Sequence, residues 1–156
     1  MKKLIIMAVA MLLSMATFAQ DGKSIYSRYS GKEGVSSVYI SPAMFRLMGK
    51  LPEMQVSGES INLSSNIKSF SGLYLIESEN KSINSSLKAD VENAVKKGNY
   101  ELLLEANDSG ELVQMYTIGE DIVKSLIFYT VSGDEYTFIS IDGNIKMSDL
   151  MEMIAK

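Results

Sequence analysis

Residues 100–141 read YELLLEANDSGELVQMYTIGEDIVKSLIFYTVSGDEYTFISI. Four apolar runs stand out: Tyr100 to Ala106, Leu112 to Ile118, Ile122 to Val131 and Tyr136 to Ile141. They are rich in β-branched and aromatic residues, as half-buried strands are. The separators are Asn107-Asp108-Ser109-Gly110, Gly119-Glu120-Asp121 and Ser132-Gly133-Asp134, each with residues that tolerate positive φ between apolar runs. Consecutive strands joined by such tight turns run antiparallel. The stretch therefore predicts a four-strand meander.

Working outward, Asp142-Gly143-Asn144 predicts a turn into a short final helix with Met147, Leu150, Met151 and Ile154 on one face. Upstream, Ile83, Leu87, Val91, Ala94 and Val95 form one stripe at helical spacing. Asn80 or Ser82 can cap that helix, Lys96 and Lys97 complement its carboxyl end, and Gly98 stops it, expected in a left-handed conformation. Leu73 to Ser78 (LYLIES) and Val35 to Ile40 (VSSVYI) read as strands. Between them, Ser41-Pro42 starts a helix carrying Met44, Phe45, Leu47 and Met48, ended by Gly49. Ile25, Tyr26 and Tyr29 mark a short amphipathic helix closed near Gly31. The polar stretch from Lys50 to Ser71 is the least structured part, with a short strand expected around Val56 to Leu63. The order predicts an α+β domain: an antiparallel sheet built around the C-terminal meander, with amphipathic helices packed on one face as a two-layer sandwich.

The first residues carry an address. Lys2 and Lys3 precede an apolar run from Leu4 to Met15, and Thr17-Phe18-Ala19 supplies small residues for a signal peptidase. A cleavable signal over residues 1–19 is expected, cut between Ala19 and Gln20, leaving one domain over residues 20–156. The apolar run falls short of the roughly 20 residues that span a bilayer. Without cysteine there is no acceptor thiol for a lipoprotein anchor. A soluble protein of the periplasm or the exterior, with no stable membrane anchor, is expected.

Cleavage leaves 13 basic against 19 acidic residues, a net charge of −6. Such a surface disfavours nucleic acid and anionic lipid, both of which require a basic patch. No disulfide can form, so packing alone must hold the fold.

Three phrases resemble a known family. They are Val35 to Met48 (VSSVYISPAMFRLM), Gly98 to Leu103 (GNYELL) and Ile141 to Leu150 (IDGNIKMSDL). They are similar to the Bacteroidota family called domain of unknown function 4252. The resemblance implies a small exported protein without an assigned activity, and it carries no functional residues over to this chain.

The chemistry on offer is narrow. The chain has no histidine and no cysteine. That removes the imidazole base, the thiol nucleophile and zinc sites of His/Cys type. Ser-x-x-Lys pairings, in which a lysine one turn on could accept the serine proton, occur at Ser65/Lys68, Ser78/Lys81 and Ser85/Lys88. They come without companion motifs. Paired carboxylates could serve a glycosidase at Glu77/Glu79, where residues i and i+2 sit about 7 Å apart on a strand, and at Glu101/Glu105, which share a face if their strand is regular. No tryptophan is present to stack on a sugar, and acidic residues on a sheet's outer face are ordinary solubilising groups. Asp142-Gly143-Asn144 and Asp108-Ser109-Gly110 share pieces with calcium loops but lack the full ligand run, and read better as turns. The tyrosines could furnish a binding surface, and the Met147, Met151 and Met153 cluster could dock a partner or close its own core. The sequons beginning at Asn62, Asn80, Asn84 and Asn107 follow from composition.

These observations lead to the expectation of an exported, non-enzymatic binding protein of the envelope. It would have a protein partner, no catalytic residues, no cofactor and no metal. The alternatives are a histidine-free hydrolase using Ser/Lys or paired carboxylates, and a small-ligand or lipid carrier.

Overall fold

A computed structural model describes residues 21–48, 54–56, 59–61 and 69–154. The expected signal segment with its cut between Ala19 and Gln20 lies outside these residues, as do Ser65 and Lys68. In chain order the elements are α1 (Asp21–Tyr29), β1 (Val35–Ile40), α2 (Pro42–Met48), β2 (Met54–Val56), β3 (Glu59–Ile61), β4 (Phe70–Ser78), α3 (Lys81–Lys97), β5 (Glu101–Asp108), β6 (Glu111–Ile118), β7 (Ile122–Ser132), β8 (Glu135–Lys146) and α4 (Met147–Ile154). Six strands form one antiparallel sheet in the order β1-β4-β8-β7-β6-β5. The meander is present as expected, and β4 joins it to the N-terminal part. Where one strand was expected around Val56 to Leu63, β2 and β3 pair with each other in a two-stranded antiparallel unit.

The turn chemistry works as read. Ser109 and Gly110 carry φ of 50° and 91° between the paired Asp108 and Glu111, as a tight I′-type hairpin requires. Gly133 does the same service between β7 and β8 with φ 59°. One expected turn is absent. Asp142-Gly143-Asn144 continues β8, because Gly143 lies under the β4 backbone: an added Cβ would come 2.3 Å from the Ser69 carbonyl oxygen. The glycine serves close strand approach, not reversal.

Helix α1 buries Ile25 and Tyr29, and α3 buries Leu87, Val91 and Ala94, against Ile76, Ile127, Tyr129 and Phe138 of the sheet. The α+β fold with an antiparallel sheet is as expected, and α1 and α3 form the expected helical layer, but the helices are not confined to that one face. On the strands, residues alternate sides, so Leu126 faces away from its neighbour Ile127. Leu126 joins a second cluster with Phe45 of α2, Phe70, Val123, Ile145 and Leu150 of α4. The two short helices thus cover part of the reverse face at one end of the sheet. No helix among the described residues is long and apolar enough to cross a membrane.

Asn80, rather than Ser82, caps α3: its side chain accepts from the amides of Ser82 at 3.1 Å and Ile83 at 3.5 Å. The other end corrects the expectation for Gly98. Its φ is −79°, and the left-handed residue is Asn99 at φ 53°. Glycine is needed at 98 for space, since a Cβ there would stand 2.6 Å from the Tyr100 ring and 3.0 Å from the Ala94 carbonyl oxygen. Gly98→Val is therefore expected to cost about 1–2 kcal/mol through crowding, the Tyr100 ring giving way in part. Chemical denaturation reads this directly, and an unchanged midpoint would show that the Tyr100 ring moves freely.

Candidate interaction surface

The described helices cover the reverse face of the sheet only in part. Strand register builds a lateral row across all six strands: Val38 opposite Leu75, Leu75 opposite Ile139, Ile139 opposite Phe128, Phe128 opposite Met115, and Met115 opposite Leu104. Paired residues point to the same side, so all six side chains share this face. The four central ones are partly exposed, and the outer two, Val38 and Leu104, are 48% and 45% exposed. The neighbouring row, Ile40, Leu73, Ile141 and Leu126, belongs to the cluster that α2 and α4 close. On the other side lie Ser36, Glu77, Thr137 and Thr130. The helices add exposed Met44, Leu47 and Met151 at the covered end. The row is thus a partly exposed apolar band with a polar border across β1, β4, β8 and β7.

The row ends at β5, which among the described strands has a neighbour on one side only. All eight of its residues are exposed, including Leu102, Leu103 and Leu104 in succession. A β-bulge lies between Leu102 and Leu104. It changes the phase of the strand, placing Glu101 opposite Thr117 on the reverse face and Glu105 opposite Gln114 on the helix-covered face. The two carboxylates do not share a face, contrary to the expectation from a regular strand. Glu105 instead accepts the Gln114 side-chain amide at 2.7 Å.

The other candidate pairs are engaged separately. Ser78 is buried and its hydroxyl accepts the Asn80 amide, while Lys81 pairs with Asp134 at 3.1 Å. Ser85 donates to the Lys81 carbonyl, and Lys88 reaches Glu92 at 3.9 Å. Glu77 and Glu79 do come together, lining with Glu135 an open depression of about 400 Å³. A second depression, of about 490 Å³, lies over the contact in which Arg28 grips Asp90 at 2.7 Å and Tyr29 donates to the same carboxylate at 2.5 Å. Among the described residues no group of three or more carboxylates is arranged to hold a metal ion. Of the tyrosines, Tyr39 is half exposed and stacks on Tyr74 at 5.1 Å between centroids, with Tyr26 against both. The side chain of Met153 lies outside the described residues.

Sequence reasoning missed a buried polar relay. Tyr100 donates to the Ser125 hydroxyl at 3.0 Å, and Ser125 donates to Asp142 at 2.8 Å. Ser125 is fully buried and Asp142 nearly so. Burial pushes the Asp142 carboxyl up to about 6; the Ser125 bond opposes that shift and the charge of Asp21 adds to it. Asp21, at the start of α1, is itself raised by burial, with Lys97 acting against the rise. Next along the same face, the Ser140 hydroxyl is buried without a partner under Gly22, where an added Cβ would stand 2.2 Å from it. The Ser125 hydroxyl is closed off from solvent, and the relay ties the start of β5 to β7 and β8. Continuing the alternation of Phe138 and Ser140 by one step would have revealed Asp142 as inward-facing.

The family model described as Domain of unknown function (DUF4252) matches residues 29–153, from the end of α1 into α4. The chain belongs to this family. The match takes in the whole six-stranded sheet, so the apolar row and the β5 edge lie within the DUF4252 domain itself. No curated protein matches the chain significantly. Among solved structures, a Pseudomonas aeruginosa protein of unknown function, PA94, is similar at 8% identity and a TM-score of 0.37, over 81% of this chain and 79% of that one. That likeness is too loose to bear on fold or function.

Proposed function

We propose that this chain is an exported, non-enzymatic binding protein that acts by docking a protein partner of the cell envelope. The observation that carries the reading is the partly exposed apolar row from Val38 to Leu104 across the reverse face. Water contact with that band is unfavourable by roughly 25 cal/mol per Å² of apolar surface, a driving force that a complementary surface recovers. The acidic balance of the mature chain favours a protein over anionic lipid as the covering surface. The apolar start at Leu4 to Met15 supports export.

Affinity capture from envelope extracts tests the reading, using residues 20–156 beside a Val38→Glu/Ile139→Thr variant with an unchanged melting temperature. Two altered contacts in the docked band are expected to lower recovery of the partner by about tenfold or more. Recovery of no specific partner, or equal recovery by both proteins, overturns the proposal.

A further inference from the structure

We infer that the free edge of β5 accepts an extended, basic strand from the partner, continuing the sheet by β-augmentation. The inference rests on the binding reading above and names the chemistry of what docks. An outer strand leaves a row of backbone N–H and C=O groups unpaired, and an extended segment is the shape that satisfies them. Both edges of this sheet are candidates, and their side chains distinguish them. β1 is six residues long, carries no charge, and packs its Tyr39 on Tyr74. β5 is longer, and its three successive leucines are each 43–51% exposed.

Charge fixes the occupant. Glu101, Glu105 and Asp108 lie along β5, which carries no basic residue. Glu111 continues the acidic run into β6, and the charges of Glu92 and Glu105 both act on Tyr116. Lys88 of α3 is already directed at Glu92. A second copy of this chain is a poor fit, because pairing β5 with itself gathers Glu101, Glu105 and Asp108 of both copies along one seam with no basic residue to offset them. Like charges directly opposite destabilise a ladder. A strand with apolar residues in its middle and Lys or Arg toward its ends instead meets leucines with apolar groups and carboxylates with cations. Because the bulge puts Glu101 and Glu105 on different faces, those cations are needed on both sides of the incoming strand.

The probe is a nine-residue, end-blocked peptide with five valines flanked by two lysines at each end, so that cations project from both sides of the strand, titrated into residues 20–156 by calorimetry with amide chemical shifts followed. Two controls accompany it: the same peptide with glutamate for lysine, and the lysine peptide N-methylated at alternate backbone nitrogens. The lysine peptide is expected to shift residues 101–108, with each control at least about tenfold weaker, a difference of about 1.4 kcal/mol. Glu101→Lys/Glu105→Lys, both exposed positions, is expected to reverse the preference between the lysine and glutamate peptides. Absence of lysine-peptide binding, equal binding of the N-methylated form, shifts confined to other strands, or a wild-type dimer in sedimentation overturns the inference. If capture on the apolar row succeeds while the peptide fails, the edge inference falls alone; if capture also fails, the binding reading falls with it.

Discussion

Leu87→Ala lowers the stability of the domain by about 2–5 kcal/mol, the range for emptying a fully buried leucine site. Leu87 is 0% exposed at the centre of α3. It lies among Ile25, Val91, Ile127, Tyr129 and Phe138, the cluster that joins α1 and α3 to the sheet. The loss has two parts: the transfer free energy of the deleted carbons and the cavity left because neighbours relax incompletely. Collapse is resisted here. Asn80 fixes one end of α3, Asn84 donates to the Asp134 carbonyl at 2.7 Å, and Asp90 is held by Arg28 and Tyr29. With the helix pinned at three points it cannot settle into the void, so the upper half of the range is expected. Urea denaturation measures it, and a loss below about 1 kcal/mol would mean that α3 packs elsewhere.

The second large effect has the opposite sign. Asp142→Asn is expected to stabilise the protein at pH 8 by about 2–3 kcal/mol and to leave it unchanged below pH 4. The folded-state pKa of about 6 stands above that of a free aspartate, because burial resists the charge. The native state therefore binds this proton more tightly than the unfolded chain. As pH rises from about 4 to about 6 the unfolded state ionises first, and stability contributed by this group falls; above about 6 the penalty is complete. Asparagine keeps an oxygen to accept from Ser125 and never ionises. Unfolding free energies of both proteins at pH 4 and pH 8 test the sign, and a difference that does not grow with pH would place the Asp142 carboxylate in contact with water.

The sequence was legible wherever one local rule acted alone. Hairpin residues at Ser109-Gly110 and Gly133, the apolar stripe from Ile83 to Val95 and the Ser41-Pro42 helix start each dictated their structure without help from distant parts. It was misleading where the chain returns on itself. Gly143 carries the composition of a turn, yet its function is to let the backbone at Ser69 pass. Gly98 looked like a left-handed cap, while the neighbouring Asn99 takes that conformation and Tyr100 claims the space. The run Leu102-Leu103-Leu104 gives no sign of which residue is extra, so the phase of Glu101 against Glu105 could not be assigned. The exposed row is a property of register between strands far apart in sequence. Only Val38, Leu75, Ile139, Phe128, Met115 and Leu104 brought side by side make it visible.

The edge-to-face contact of Phe45 with Phe70 has a consequence for how this architecture can diverge. The two rings close α2 onto the start of β4, so the sheet and its clusters hold both ends of the intervening connection. Loop-closure entropy grows only logarithmically with the number of residues between two fixed ends, about 0.6 kcal/mol for each doubling. Residues can therefore be gained or lost there at little thermodynamic cost to the sheet, whereas the two-residue turns of the meander have no such freedom. Related chains should differ in length between these phenylalanines while keeping the spacing of β5 to β8.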